Sequence, residues 1–185
     1  MMKRLVLDAK EWCRGRSWVI RLPVVLFFVY IFVRHLGDAS YRSVFDATNF
    51  GVHELGHAIF APFGELVSVA GGSIFECLAP VILMIGFLRQ RDFFAISFAF
   101  GWLSTALFDV ARYVADARSM QMELVSPWSF GDEPIIHDWN YLLSKFNMLQ
   151  YDGALAFALR CAAAVSMLVC VIGGSWLLYQ MMRRR

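Results

Sequence analysis

Apolar stretches close to the length needed to cross a bilayer recur along this chain, at residues 17–36, 74–88, 93–115 and 154–182. A helix needs about 20 apolar residues to traverse the ~30 Å hydrocarbon layer. With 59% hydrophobic and 17% charged residues, the chain also falls short of the ~25% charge usual in soluble domains. No long polar stretch remains to form a separate soluble domain. The sequence therefore predicts a basic amphipathic lead-in at 1–16, one membrane-embedded domain at 17–182 and a basic tail at 183–185.

The formal net charge is only +2, but basic residues gather at the two ends: Lys3, Arg4, Lys10, Arg14 and Arg16, then Arg183, Arg184 and Arg185. This pattern sets membrane orientation. No basic stripe interleaved with aromatics appears, so nucleic acid is not an expected partner. The four cysteines, Cys13, Cys77, Cys161 and Cys170, form no C-x-x-C pair and read as small apolar residues. The apolar run at 22–33 is followed by Arg34 and His35, which argues against a cleavable signal peptide.

Placing both termini and the turn at 89–91 in the cytoplasm requires four crossings. The 44–63 segment then enters and leaves from the outer side, because a fifth crossing there would break the positive-inside bias. That segment is helix-like but carries Asp46, Asn49, His53, Glu54 and His57, and it ends at Pro62 and Gly64. A polar half-helix is tolerated where it lines a wet cavity. Gly71-Gly72-Ser73 reads as a break or turn, or as exposed backbone for an extended substrate.

His53 and His57 stand four apart, which on a helix puts both imidazoles on one face, one turn apart. Two such nitrogens fit two corners of a tetrahedral zinc (Zn2+) site. Glu54 projects beside them, placed to take a proton from water and pass it to a leaving amine. Histidines that are merely satisfied core groups are the bland alternative. Two histidines and a glutamate in an oily helix cost several kcal/mol unless paired or metal-bound, which favours the metal.

His53-Glu54-Leu55-Gly56-His57 in an apolar helix resembles the zinc motif of intramembrane metalloproteases of the site-2 protease type. The run HELGHAIFAPFGE, the Gly-Gly-Ser that follows and the later His-Asp-Trp-Asn-Tyr-Leu-Leu look like small bacterial membrane proteins related to that group. The resemblance spans most of residues 48–150. It implies zinc-dependent hydrolysis of a peptide bond in or beside the bilayer of a bacterial inner (plasma) membrane, with a membrane protein or peptide as substrate. In site-2 proteases the third ligand is the aspartate of a later Asp-Gly, and Asp152-Gly153 matches that pair. His137 and Asp138, at a loop-to-helix junction, are the favoured candidates, one as ligand and the other orienting it or capping the helix. Asp138 and Asp152 also read as plain helix N-caps.

Glu76, Asp109, Arg112, Asp116 and Arg160 are further charges in or near apolar segments. They read as support for the site or as ion pairs, with Arg112 bound to Asp109 or Asp116 along its helix. The expected architecture is all-α and polytopic, with about four transmembrane helices plus a half-buried metal-binding helix. Two other functions fit the same motif: hydrolysis of a lipid or small amide, and a catalytically silent metal-binding scaffold. Neither substrate nor oligomeric state is written in the sequence.

Overall fold

The computed structural model describes residues 2–123 and 136–183. Arg184 and Arg185 of the basic tail lie outside the described residues. The described chain is helical without strands: α1 (Met2–Trp12), α2 (Leu22–Gly37), α3 (Asp46–Phe60), α4 (Glu65–Arg89), α5 (Phe93–Ala115), α6 (Asp138–Lys145) and α7 (Asp152–Arg183). Short 3-10 turns at Ala61–Phe63 and Leu149–Tyr151 lie between helices.

Among the described residues, three helical segments are long and apolar enough to cross a membrane: Glu65–Arg89, Phe93–Ala115 and Leu149–Arg183. Helix α2 has 16 residues, or ~24 Å at 1.5 Å per residue, shorter than the hydrocarbon layer. Its start is set by Pro23 in the first turn, where proline's missing N–H costs nothing. Residues 18–21 ahead of it are turn rather than the helix expected from residue 17. Leu26, Val33 and Leu36 on α2, and Phe157, Val165 and Ile172 on α7, are exposed apolar side chains. Such surface suits contact with acyl chains and would be a liability in water.

One expected break is absent. Helix α4 runs unbroken through Gly71-Gly72-Ser73 and through Pro80, and α7 is one helix of 32 residues. The glycines of α4 serve close helix packing instead of a turn. A Cβ on Gly56 of α3 would collide with the Gly71 carbonyl, and one on Gly71 would sit 2.7 Å from Phe60. Small residues let two backbones approach in this way wherever lipid supplies no hydrophobic drive between helices.

Contacts divide the chain into two compact units. The first comprises Met1–Tyr41, Pro80–Ser104 and Ala163–Arg185. Its core joins Ala9, Cys13, Val25, Leu177, Leu178 and Met181. Serine hydroxyls tie α5 to α7 there: Ser97 donates to the Cys170 carbonyl (2.8 Å), Ser104 to that of Ala163 (2.7 Å), and α7's Ser166 to that of Phe100 (2.8 Å). Cys13 and Cys170 are buried, and the described cysteines are free thiols.

The second unit comprises Arg42–Ala79 and Thr105–Ala162. Val110, Val114 and Ala156 pack there with Cys77, Trp139, Leu155 and Leu159. Arg112 bridges Asp109 on its own helix and Asp46 of α3, 3.3 Å away. Asp116 takes no part in that ion pair and instead accepts from Ser119 (2.6 Å) and the backbone of Gln121 and Met122 (both 3.0 Å). Helix α6 begins where the sequence places it.

If the α3–α4 approach needs glycine, Gly56→Ala destabilises the protein by about 1–3 kcal/mol, the usual cost of overpacking. Gly51→Ala, with open space around the new methyl, leaves the thermal midpoint in detergent unchanged or higher. Equal midpoints for the two variants would contradict this packing.

Candidate metal centre

Helix α3 carries His53, Glu54 and His57, and α4 packs alongside. Each imidazole uses Nδ1 to bind α4: that of His53 lies 3.1 Å from Glu76 Oε2, and that of His57 2.9 Å from the Ser68 carbonyl oxygen. A carbonyl oxygen only accepts, so Nδ1 of His57 carries its proton and Nε2 keeps a lone pair. The Glu76 carboxylate sets the same tautomer on His53. Ser68 also donates its hydroxyl to the His57 carbonyl at 3.0 Å, locking the two helices in register.

Both Nε2 atoms turn towards Asp138, the first residue of α6. Asp138 Oδ2 lies 3.0 Å from Nε2 of His53 and 3.1 Å from Nε2 of His57. Ligand atoms of these three residues lie within 4.8 Å of one another. Zinc bonded to three such atoms at 2.0–2.1 Å would hold them about 3.3 Å apart, and the distances from Asp138 to the two imidazoles lie within a few tenths of an ångström of that. With both Nδ1 protons committed, two lone pairs and a carboxylate face one point, which calls for a cation. Burial opposes charge on His53, yet Asp138 and Glu76 raise its pKa to about 10. Burial likewise opposes charge on Asp138, and the two histidines override it and hold its carboxyl below the usual range.

Space is provided by a glycine. A Cβ on Gly72 would sit 2.6 Å from Nε2 of both His53 and His57. Any larger residue would fill the volume an ion needs. The donor set, the tautomers and this gap together fit a divalent ion with a free position.

Helix α6 is fixed by several bonds. Trp139 Nε1 donates to Ser73 Oγ (3.0 Å), Asn140 Nδ2 to the Ala117 carbonyl (2.8 Å) and the Asp138 backbone N–H to Tyr113 Oη (3.0 Å). His137 caps the helix, its Nδ1 accepting from the Asn140 N–H at 3.3 Å. The cap role expected of Asp138 thus falls to His137, whose extended backbone, φ −81° and ψ 106°, is that of a cap residue. With Nδ1 accepting, the His137 proton sits on Nε2, which lies 3.4 Å from Asp116 Oδ2, too poorly aligned for a hydrogen bond. His137 is therefore outside the metal group. Asp152 is outside it too, bound to Arg118 at 2.7 Å and to its neighbour's N–H.

Glu54 is buried beside His53 and lines a cavity of about 300 Å³ whose walls include His53, Glu76, Arg112 and Tyr113. Burial raises its carboxyl above the usual glutamate range, against the opposing pull of His57 and His53. Sequence reasoning flagged Glu76 only as one intramembrane charge among five, and it missed Ser68 and Tyr113. A backbone carbonyl and a tyrosine on an apolar helix carry no pattern that would single them out.

Comparison with protein-family models, curated proteins and solved structures found no match for this chain.

Gly72→Ala is expected to reduce bound zinc, read by elemental analysis of purified protein, from about one per chain to background while circular dichroism stays helical. Gly86→Ala, with open space around the added methyl, keeps its metal. Full zinc occupancy in Gly72→Ala would remove the ion from this gap.

Proposed function

We propose that this chain is a zinc-dependent, membrane-embedded endopeptidase that hydrolyses an extended peptide segment at the bilayer. The observation that carries the proposal is the convergence of two Nε2 lone pairs and the Asp138 carboxylate on the Gly72 gap, with Glu54 beside them on the cavity wall. In this reading His53, His57 and Asp138 hold the ion, and Glu76 and the Ser68 carbonyl orient the two imidazoles. It agrees with the likeness of His53-Glu54-Leu55-Gly56-His57 to the zinc motif of site-2-type proteases.

Four crossings belong to the same proposal: α2, α4, α5 and α7, with both termini and the 89–91 turn on the cytoplasmic side of a bacterial inner membrane. Helix α3 enters from the outer side without crossing, since a crossing there would put the 89–91 turn and the C-terminal arginines outside, against the positive-inside bias. Helix α6, which begins with Asp138, lies on that same side.

A bound zinc ion supplies Lewis-acid polarisation and lowers the pKa of a water molecule towards ~7. Glu54 accepts the proton of the attacking water and returns it to the leaving nitrogen. Its burial suits this, since a carboxylate of raised basicity accepts a proton more readily than a solvated one. The substrate enters unwound, because helical carbonyls are engaged in hydrogen bonds. Charged walls, with Arg42, Asp46, Asp109 and Arg112 around the cavity, favour a peptide over a lipid chain as its occupant.

Purified protein in detergent, loaded with zinc and given a mixture of quenched-fluorescence peptides, is expected to cleave at least one of them. Glu54→Gln should retain its zinc and lose about 10²–10⁴-fold in rate. Cleavage that survives in Glu54→Gln would remove this residue from the chemistry, and a zinc-loaded wild type that cleaves none would count against the peptidase.

A further inference from the structure

The geometry points to Tyr113 as a catalytic residue whose hydroxyl donates a hydrogen bond to the oxyanion that forms on the scissile carbonyl; this rests on the hydrolase reading above. Tyr113 stands on α5, held on two sides. Its ring stacks on that of His137, with centroids 4.4 Å apart and planes tilted by 32°, and meets the edge of His53 at 5.9 Å. Its oxygen accepts the N–H of Asp138 at 3.0 Å, so it sits against the backbone of the residue that turns its carboxylate to both histidines. It also lines the cavity that Glu54 and His53 border.

Tyr113 oxygen takes one hydrogen bond, and among the described residues its own O–H has no acceptor. Buried or half-buried tyrosines normally find a partner for the hydroxyl. Here the donor is left over beside a cavity next to the metal-binding cluster, where charge would develop during acyl transfer. A donor fixed in advance, in a site with little water, is the most effective kind of transition-state stabiliser.

Water oxygen bonds to the carbonyl carbon, and the C=O π pair moves to oxygen, where the Tyr113 hydroxyl stabilises the new charge without giving up its proton. Glu54 takes the water's proton. The C–N bond then breaks as the oxyanion's electrons re-form C=O, and Glu54 passes that proton to the leaving nitrogen. The products are a carboxylic acid and an amine, which exchange a proton with solvent.

The test uses whichever peptide the wild type cleaves best from the mixture, and its phosphinate analogue, which carries a tetrahedral P–O⁻ at the scissile position. Tyr113→Phe, with zinc content brought to the wild-type level, is expected to lose about 10²–10³-fold in kcat with KM within about threefold. Its affinity for the phosphinate should fall at least tenfold, while binding of the parent peptide, measured on the inactive Glu54→Gln background, changes little. Unchanged kcat, or equal weakening of both ligands, overturns the proposal. So does a Tyr113→Phe protein that cannot be loaded even in excess zinc, because Tyr113 would then serve only to hold Asp138. A wild type that cleaves no peptide sinks the hydrolase reading itself, and this proposal with it.

Discussion

Two protons, on Nδ1 of His53 and Nδ1 of His57, govern the arrangement of the whole site. Once Glu76 and the Ser68 carbonyl accept them, the lone pairs on Nε2 have one direction to face, and Asp138 meets them there. The partners come from one stripe of α4. Ser68, Gly72 and Glu76 follow at four-residue steps, so they lie above one another on the face turned to α3. The outer two hold the imidazoles, and the glycine between them leaves the gap. This stripe requires α4 to be unbroken and close to α3, which explains why Gly56 and Gly71 have no room for a side chain.

His137 shows the opposite tautomer and the opposite role. Its Nδ1 accepts a backbone N–H, so it starts a helix and leaves its neighbour's carboxylate for the histidines. Helix α6 is short, at 8 residues, and a helix of that length has little stability alone. Its position depends on Trp139, Asn140 and the Asp138 N–H, each bound to a different partner in the second unit. Arg112 with Asp46 and Asp109 pairs three further charges of the cavity wall, as an apolar environment demands. Glu76 Oε1 stays buried without a partner among the described residues, a cost taken where its other oxygen orients His53.

The spacing of His53 and His57 made their shared helix face legible, because a period of four on a helix dictates a shared face. Apolar run length located α5 to the residue and α4 and α7 in outline, and the residues around Asp138 marked α6. Other features depended on contacts that a linear reading does not contain. Gly71-Gly72 reads as a turn in isolation, and only the proximity of α3 makes it a packing face. The exchange of roles between His137 and Asp138 was decided by one backbone conformation at residue 137. Asp152-Gly153 carries the pattern of a ligand pair, yet Arg118 claims its carboxylate. Glu76 could not be told from Asp109 or Asp116 until the register of α4 against α3 was fixed.

The central claim is that His53, His57 and Asp138 close around one zinc ion. X-ray absorption at the zinc edge of the purified, zinc-loaded protein tests it most directly. The account predicts four or five nitrogen and oxygen neighbours at about 2.0–2.2 Å, with the outer-shell scattering of two imidazoles that drops to one in His57→Ala. A shell of sulfur, a spectrum without imidazole scattering, or one unchanged by His57→Ala would contradict it.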